Sequence, residues 1–202
     1  MRLALAVALA LCVSAPAALA QAPPARLLVI GDSLAYDNRP YLQRDLPHWR
    51  IEGNFSFARD ARQTARDLRK LGRRETLPPI IHVSSGTGDD PEHVKRFDLA
   101  VRRLMRVAGP ERCVVWANVW RVKLSEPTFA VINGALALES LARPNLLVVD
   151  WYAMVEANRD WLVDPVHVNA PGNLARAAAV AAQVRACRKL LSRPLPPGPL
   201  PA

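Results

Sequence analysis

The regular alternation of short apolar runs with longer amphipathic segments is the feature that most constrains how this chain can fold. The apolar runs cover residues 27–30, 80–83, 113–119 and 146–149, and residues 49–55 are a weaker candidate. Uninterrupted apolar runs of this length are typical of strands that are buried on both faces. Strands that alternate with helices form parallel sheets through right-handed crossovers. The pattern therefore predicts an α/β fold whose sheet is covered by helices on both sides.

Three segments between or after these runs have helical periodicity. Residues 93–108 place apolar side chains on one stripe and charged side chains elsewhere. Asp90 and Pro91 come just before and supply a cap and a first-turn proline. Residues 129–141 and 174–191 form two more predicted helices. Because ligands bind at the carboxyl ends of the strands in such sheets, we look for functional residues there.

The first twenty residues differ from the rest of the chain. Arg2 precedes an apolar stretch at residues 3–13, and Ala-Leu-Ala at residues 18–20 fits a cleavage site. This pattern predicts a secretory signal peptide over residues 1–20; the stretch is shorter than the ~20 residues that span a bilayer. We expect a linker at 21–25, one domain at 26–192 and a disordered proline-rich tail at 193–202. The protein would then be secreted, or lie in the periplasm or cell envelope, with no membrane span.

The formal net charge is +9, of which one unit lies on Arg2. A basic surface attracts polyanions such as wall polymers or anionic lipid headgroups. The arginines are scattered and no basic run is interleaved with aromatic residues, which argues against a nucleic acid partner. The alternative is that these arginines are solvated surface residues without a specific partner.

Removal of the leader would leave two cysteines, Cys113 and Cys187. An even pair in an oxidising compartment favours one disulfide, which would tie the start of a strand to the last helix. Two buried free thiols are the alternative. The chain has no Cys/His cluster with metal-ligand spacing, so we expect no metal site.

A serine stands at the carboxyl end of the first predicted strand, in the sequence Gly-Asp-Ser-Leu at residues 31–34. Gly31 allows a tight turn, and Ser33 would be exposed where a nucleophile is needed. Asp32 more naturally orders the turn than transfers a proton. By itself this motif is weak, because serine is a common turn residue.

A second motif, Asp-Pro-Val-His at residues 164–167, follows the last predicted strand. A serine nucleophile needs a base, and the base needs a carboxylate on its other nitrogen. Asp164 and His167 are three residues apart and can point into one cleft. Asn169, followed by a proline and a glycine, then opens the last helix. The two motifs together predict a Ser33, His167 and Asp164 triad.

These segments resemble the SGNH/GDSL hydrolases over nearly all of residues 26–192. The resemblance rests on residues 29–34 and 164–167, and residues 115–119 and 148–151 are similar to strands of bacterial members. It implies a three-layer α/β/α sandwich of the flavodoxin-like type, with a central parallel sheet of about five strands. It also implies acyl-ester hydrolysis through a serine-bound acyl intermediate, without a metal or organic cofactor.

Two blocks of this family depart from its pattern here. The glycine that normally offers a backbone N–H to the oxyanion is matched by Ala61, and the asparagine that offers a side-chain donor is matched by Gly88. Loss of one oxyanion donor typically costs ~10²–10³ in kcat. The N–H of Ser33 remains available, and Asn118 is a candidate substitute donor. We expect Gly88→Asn to raise kcat if the oxyanion hole lacks a donor.

Two functions of different classes fit this sequence. One is an esterase acting on a small acyl ester or an acylated carbohydrate, O-acetyl groups included. The other is a non-catalytic or weakly active wall-binding or glycan-binding relative that keeps the cleft. Acyl transfer to a sugar is a third possibility. The presence of all three triad residues favours the esterase, with Asn118 and Arg121 as candidate substrate contacts and His82 as a core histidine.

Overall fold

The computed structural model of the chain describes residues 24–122 and 127–192. The predicted leader, the first three residues of the predicted linker and the proline-rich tail lie outside the described residues. The strands are β1 (Ala25–Gly31), β2 (Trp49–Phe55), β3 (Ile80–Ser84), β4 (Cys113–Ala117) and β5 (Leu146–Val149). The helices are α1 (Ser33–Asp45), α2 (Ala61–Arg74), α3 (Val94–Ala108), α4 (Ala130–Leu141), α5 (Trp151–Glu156) and α6 (Ala170–Leu191).

The five strands form one parallel sheet in the order β2-β1-β3-β4-β5. This is the flavodoxin-like strand order. The chain moves from β1 outward to β2 and then crosses back to β3 on the other side of β1. The crevice at such a reversal, outside the carboxyl ends of the strands, is where ligands bind in open α/β sheets.

Helices cover both faces of the sheet, as predicted. One core joins the sheet to α2, α3 and α4, and the other joins it to α1, α5 and α6. The result is a three-layer α/β/α sandwich. Strands β3 and β4 are buried along their whole length, whereas the edge strand β2 is largely accessible. The edge position explains why β2 gives a weaker apolar pattern than the central strands.

The predicted strands and the three predicted helices are present, with modest differences at their ends. β4 ends at Ala117, two residues earlier than expected, because Val119 already donates its N–H to Asn133 on α4. The predicted cap at Asp90 is correct, but it begins a short 3₁₀ turn (Pro91–His93) that precedes α3. β1 begins at Ala25, inside the predicted linker, because it pairs there with Trp49.

Two further features concern the whole fold. Cys113 at the start of β4 and Cys187 on α6 form a disulfide, so the predicted bridge is confirmed. Both residues are fully buried in the core that contains α6. Within residues 24–122 and 127–192, no helix is both long and apolar enough to cross a membrane.

Candidate active site

Ser33 is the first residue of α1, immediately after β1. Asp32 caps this helix by accepting a hydrogen bond from the Leu34 N–H at 3.1 Å. Gly31 is needed here because a Cβ at this position would lie 2.1 Å from the carbonyl oxygen of Ser84 on β3. The close approach of β1 and β3 therefore fixes the turn that presents the Ser33 hydroxyl.

The Asp32 carboxylate is buried and fully committed to structure. Besides capping α1, it accepts hydrogen bonds from Ser84 Oγ at 3.0 Å and from Thr87 Oγ1 at 2.6 Å. Ser84 ends β3, and Thr87 lies in the loop that follows it. Asp32 thus ties the turn after β1 to the loop after β3, in agreement with its predicted role in ordering the turn.

A buried arginine extends this network towards α6. Arg176 is 1% exposed, donates from Nη2 to Ser84 Oγ at 2.8 Å and stacks over the Trp151 ring at 4.7 Å. Burial lowers the pKa of Arg176 to about 10, and the opposing charge of Asp32 acts in the other direction. An arginine with this pKa stays charged at neutral pH, so Arg176 balances the buried Asp32 carboxylate.

His167 is carried by a short loop closed at both ends by backbone contacts. Val163 donates its N–H to the His167 carbonyl at 3.0 Å, and Leu162 bridges Val168 in antiparallel fashion. Asn169 caps α6 directly after the loop by accepting from the Gly172 N–H. This tight closure fixes the His167 ring relative to the helix that starts behind it.

The side chains of Ser33, His167 and Asp164 come together as predicted. Ser33 Oγ lies 2.9 Å from His167 Nε2, and His167 Nδ1 lies 2.7 Å from Asp164 Oδ2. In the tautomer with hydrogen on Nδ1, the serine hydroxyl donates to Nε2 and the ring donates to the carboxylate. This is the geometry that a serine nucleophile and its base require.

The Asp164 carboxylate is stabilised in its ionised form. Burial opposes ionisation, but hydrogen bonds from the backbone N–H groups of His167 and Val166 and from the His167 ring together lower its pKa. A carboxylate held in this way orients the imidazole and favours the imidazolium that forms when the ring accepts a proton.

The oxyanion donor expected at Ala61 is not free. Ala61 is fully buried, and its N–H donates to Asp89 Oδ2 at 2.8 Å. Burial raises the pKa of Asp89 to about 6, while the Ala61 hydrogen bond acts against this rise and the charges of Asp60 and Asp32 add to it. The geometry therefore does not support the sequence-based choice of Ala61, since its donor already has an acceptor.

Ala58, three residues earlier, has the backbone that a glycine would favour. Its φ of 52° is in the left-handed region. Among the described residues, Ala58 is the one non-glycine residue with a positive φ. The next residue, Arg59, ties this loop to the end of β2. Its guanidinium group donates to the backbone carbonyl oxygen and to the side-chain oxygen of Asn54, at 2.8 Å each. No acceptor for the N–H of Ala58, or for that of Ser33, is found among the described residues.

Gly88 is exposed, as its predicted place near the site requires, but it has no room for a side chain. A Cβ at this position would lie 2.6 Å from the carbonyl oxygen of Ala58. The loops that follow β2 and β3 therefore meet backbone to backbone. This geometry does not favour the expectation that Gly88→Asn would supply a donor, because the new side chain would first push the two loops apart.

A recess of about 260 Å³ opens beside the Ser33 hydroxyl. Three aromatic residues line it together with polar groups of the two adjoining turns. The Tyr36 ring packs against Phe55 at 5.8 Å and against Phe57 at 6.3 Å between ring centroids. Its size and apolar wall suit a small acyl group.

The two candidate substrate contacts have different outcomes. Asn118 donates to Asp150 Oδ1 at 2.8 Å and accepts from the Tyr152 N–H at 2.7 Å, so its amide joins the ends of β4 and β5 and is not free. Arg121 is exposed and lies between the site loops: its Nη1 donates to the Thr87 carbonyl at 2.6 Å, and its neighbour Val122 donates to the Pro165 carbonyl. Arg121 therefore remains a candidate contact, whereas the geometry does not support Asn118.

His82 is buried in β3, as predicted, with Nδ1 3.0 Å from the Val115 carbonyl. Burial lowers its pKa to about 4, so it is neutral at physiological pH. Among the described residues no group of three or more His, Cys, Asp or Glu side chains is placed to hold a metal ion.

Two residues of the site, Arg176 and Ala58, are not indicated by the sequence motifs. Arg176 follows the same helical spacing as the buried residues Val180 and Val184 of α6. A cation on the buried face of a predicted helix indicates a buried partner, which here is the Ser84 and Asp32 network. Ala58 gave no comparable pattern, because its importance lies in its backbone angle.

No protein-family model matches the chain, and no curated protein matches it significantly. Solved structures do match. The C-terminal catalytic domain of the peptidoglycan O-acetyltransferase OatA from Streptococcus pneumoniae has a TM-score of 0.64 at 17% identity, covering 84% of this chain and 96% of that domain. A carbohydrate esterase of family 3 from Talaromyces cellulolyticus has a TM-score of 0.68 at 16% identity, covering 83% and 100%.

A member of the lipolytic G-D-S-L family from Veillonella parvula has a TM-score of 0.65 at 15% identity, covering 79% of this chain and 96% of that one. Identities this low establish the fold and not the activity. The chain has the α/β/α fold of the SGNH/GDSL hydrolases, as the sequence motifs predict.

Proposed function

We propose that the chain is a serine-dependent acyl-ester enzyme in which Ser33, His167 and Asp164 form a catalytic triad. The observation that carries this proposal is the hydrogen-bonded sequence of Ser33 Oγ, the His167 ring and the Asp164 carboxylate, with distances of 2.9 and 2.7 Å. The three residues come from the two ends of the domain and meet at the carboxyl edge of the sheet. A purely structural role would not require a serine hydroxyl, an imidazole and a carboxylate to be hydrogen-bonded in this sequence.

In the proposed reaction, Ser33 Oγ attacks the ester carbonyl carbon while His167 Nε2 takes the hydroxyl proton. The tetrahedral intermediate collapses, the ester C–O bond breaks, and His167 returns the proton to the leaving alcohol. Water, activated by the same ring, then attacks the acyl-serine and releases the carboxylic acid. Asp164 stays ionised and stabilises the imidazolium in both steps.

The backbone N–H groups of Ser33 and Ala58 are the oxyanion donors we propose. Ser33 begins α1, whose first N–H groups have no partner within the helix. The positive end of the helix also favours the developing negative charge. Gly88, with its exposed backbone close to Ala58, completes this edge of the site. A hole built from backbone donors explains how the site can function without an asparagine side chain.

The substrate class we propose is an acylated carbohydrate with a small acyl group. The recess of about 260 Å³ beside Ser33 supports the small acyl group. Similar solved structures carry names that include carbohydrate esterase and peptidoglycan O-acetyltransferase, which supports a sugar as the alcohol. The Cys113–Cys187 disulfide supports export to an oxidising compartment.

The test is hydrolysis of p-nitrophenyl acetate by the purified protein. We expect Ser33→Ala and His167→Ala each to lower kcat by at least ~10³-fold, because each removes a member of a unit that acts together. Ser192→Ala, at the exposed end of α6, is the matched control and should retain activity. Equal rates in the wild type and Ser33→Ala would refute the triad and favour a non-catalytic glycan-binding protein.

Acyl transfer is a second candidate, because one of the similar structures is named as a peptidoglycan O-acetyltransferase. The same acyl-serine can react with a sugar hydroxyl in place of water. Adding a chito-oligosaccharide to the assay distinguishes the two. An acylated sugar whose yield rises with acceptor concentration indicates transfer, whereas release of acetate alone indicates hydrolysis.

A further inference from the structure

Helix α2 presents a continuous stripe of arginines on its outer face. Arg62, Arg66, Arg69 and Arg73 are exposed and follow the spacing of four, three and four residues that places side chains on one face. At 1.5 Å per residue the stripe extends over roughly 16 Å. Residues that are scattered in the sequence therefore form a linear array in the structure.

Helix α3 packs beside α2 and adds Arg103 and Arg106 to the same surface. Two recesses of about 600 and 670 Å³ lie along it. Both are lined by Arg69 and Val107, so they adjoin, and together we call them the α2/α3 groove. Eight arginines line it, and Glu75 is the one carboxylate among its lining residues.

The arginines of the stripe and their α3 neighbours lack ion-pair partners among the described residues. Arginines elsewhere on the surface are commonly paired, as in Arg26 with Glu52 and Arg159 with Glu156. Three acidic residues lie on or beside α2. Asp67 pairs with Arg59 and Lys70, Asp60 caps the start of the helix, and Glu75 at its end has no ion pair with the stripe among the described residues.

Like charges three or four residues apart destabilise a helix, so this stripe has an electrostatic cost that its single neighbouring carboxylate, Glu75, offsets only in part. Guanidinium groups bind carboxylate and phosphate oxygens in bidentate fashion. A ligand with regularly spaced anionic groups would both remove the repulsion and fill the groove. The geometry points to the α2/α3 groove as a binding site for a linear anionic polysaccharide.

The shape and lining of the groove favour this occupant over two others. A recessed channel between two helices fits a single extended chain better than a flat membrane, and no large exposed apolar side chain lines it to enter a bilayer. None of its lining residues is aromatic, so it offers no platform on which nucleic acid bases could stack.

One end of the α2/α3 groove lies at the carboxyl ends of the strands, which is also where Ser33 is located. α2 begins at Ala61, whose N–H donates to Asp89 in the loop after β3, and Arg62 follows directly. A polysaccharide bound along the stripe would thus have one end near the triad. The groove binds the polymer whether or not the triad is active, so this inference does not depend on the proposed function.

Binding of fluorescently labelled oligogalacturonate, a linear polymer with one carboxylate per sugar, tests the inference by anisotropy on the full chain. We expect the quadruple variant Arg66→Gln, Arg69→Gln, Arg103→Gln and Arg106→Gln to raise Kd at least ~10-fold, since four charge contacts are lost. The salt dependence of binding should become weaker in the same variant. Glutamine keeps the helix propensity close to that of arginine, so the fold should persist.

The matched control removes the same charge from the opposite face of the sheet, where α1 and α6 lie, with Arg39→Gln, Arg44→Gln, Arg188→Gln and Lys189→Gln. This control should bind within ~3-fold of the wild type, because screening weakens distant charges. If both quadruple variants lose the same amount of binding affinity, the attraction depends on net charge alone and the groove is not a specific site. If the groove variant does not fold, Arg66→Gln with Arg103→Gln replaces it. Tighter groove-dependent binding of a DNA duplex or of phosphatidylglycerol vesicles would overturn the polysaccharide as occupant.

Discussion

At the residue scale, the hydroxyl of Ser33 reaches His167 because each residue is held by its own short-range constraint. Asp32 caps the helix that begins at Ser33, and Asp164 accepts from two backbone N–H groups of the loop that carries His167. Both constraints are local in sequence. The Gly-Asp-Ser-Leu and Asp-x-x-His motifs could therefore be identified without a structure.

The other residue assignments depended on contacts that are distant in sequence. Ala61 and Asn118 were reasonable choices by position, but their polar groups are occupied by Asp89 and by Asp150 with the Tyr152 N–H. No pattern within either segment indicates such a partner. Long-range contacts of this kind are what a single sequence does not reveal.

Gly88→Asn should impair the protein. The Cβ would lie 2.6 Å from the Ala58 carbonyl oxygen, so the loops must separate, at about 1–3 kcal/mol of unfolding free energy. Urea unfolding and p-nitrophenyl acetate kinetics measure the two effects. Gly134→Asn on α4 is the control for steric clash, because a Cβ there meets nothing within 4 Å. A stable Gly88→Asn variant with higher kcat would contradict the proposed backbone oxyanion hole.

Asp89→Asn should change how stability depends on pH. Burial raises the pKa of Asp89 from 3.8 to about 6, so its contribution to folding is fully present below about pH 4 and is lost as pH rises through about 6. The unfolding free energy of the wild type minus that of the variant should fall by on the order of 1 kcal/mol over this range, allowing for partial exposure. Urea unfolding at several pH values measures it, and a constant difference would contradict the assignment.

At the scale of elements, the sequence predicted the central strands best and the first two helices worst. β3 and β4 are buried on both faces and so consist of uninterrupted apolar residues. α1 contains Pro40 in its interior, which normally argues against a helix. α2 is amphipathic, but its buried face consists mainly of small residues and one leucine, so few large apolar side chains mark it in the sequence.

The disulfide between β4 and α6 should contribute substantially to stability. Its partners are 74 residues apart, and closing such a loop in the unfolded chain is worth about 4 kcal/mol in the chain-entropy model. We expect Cys113→Ala with Cys187→Ala to lower the unfolding free energy by several kcal/mol. Peptide mass spectrometry without reductant verifies the bridge in the wild type. Two free thiols in the protein purified without reductant, or no loss of stability, would contradict this prediction.

At the scale of the whole molecule, the alternation of apolar runs and helices was enough to predict a parallel sheet covered on both faces. It did not predict the strand order β2-β1-β3-β4-β5, because order depends on the direction of each crossover. It also did not predict that scattered arginines would gather along α2 and α3. The site and the groove both arise from this order, which places the loops after β1, β2 and β3 side by side.

Covalent labelling with a fluorophosphonate probe, followed by mapping of the modified peptide, tests the central claim most directly. We predict one phosphonyl adduct on Ser33, no adduct in Ser33→Ala, and labelling slowed by at least ~10³-fold in His167→Ala, because the ring must accept the serine proton. A folded wild-type protein that remains unlabelled, or is labelled at a different residue, would contradict it.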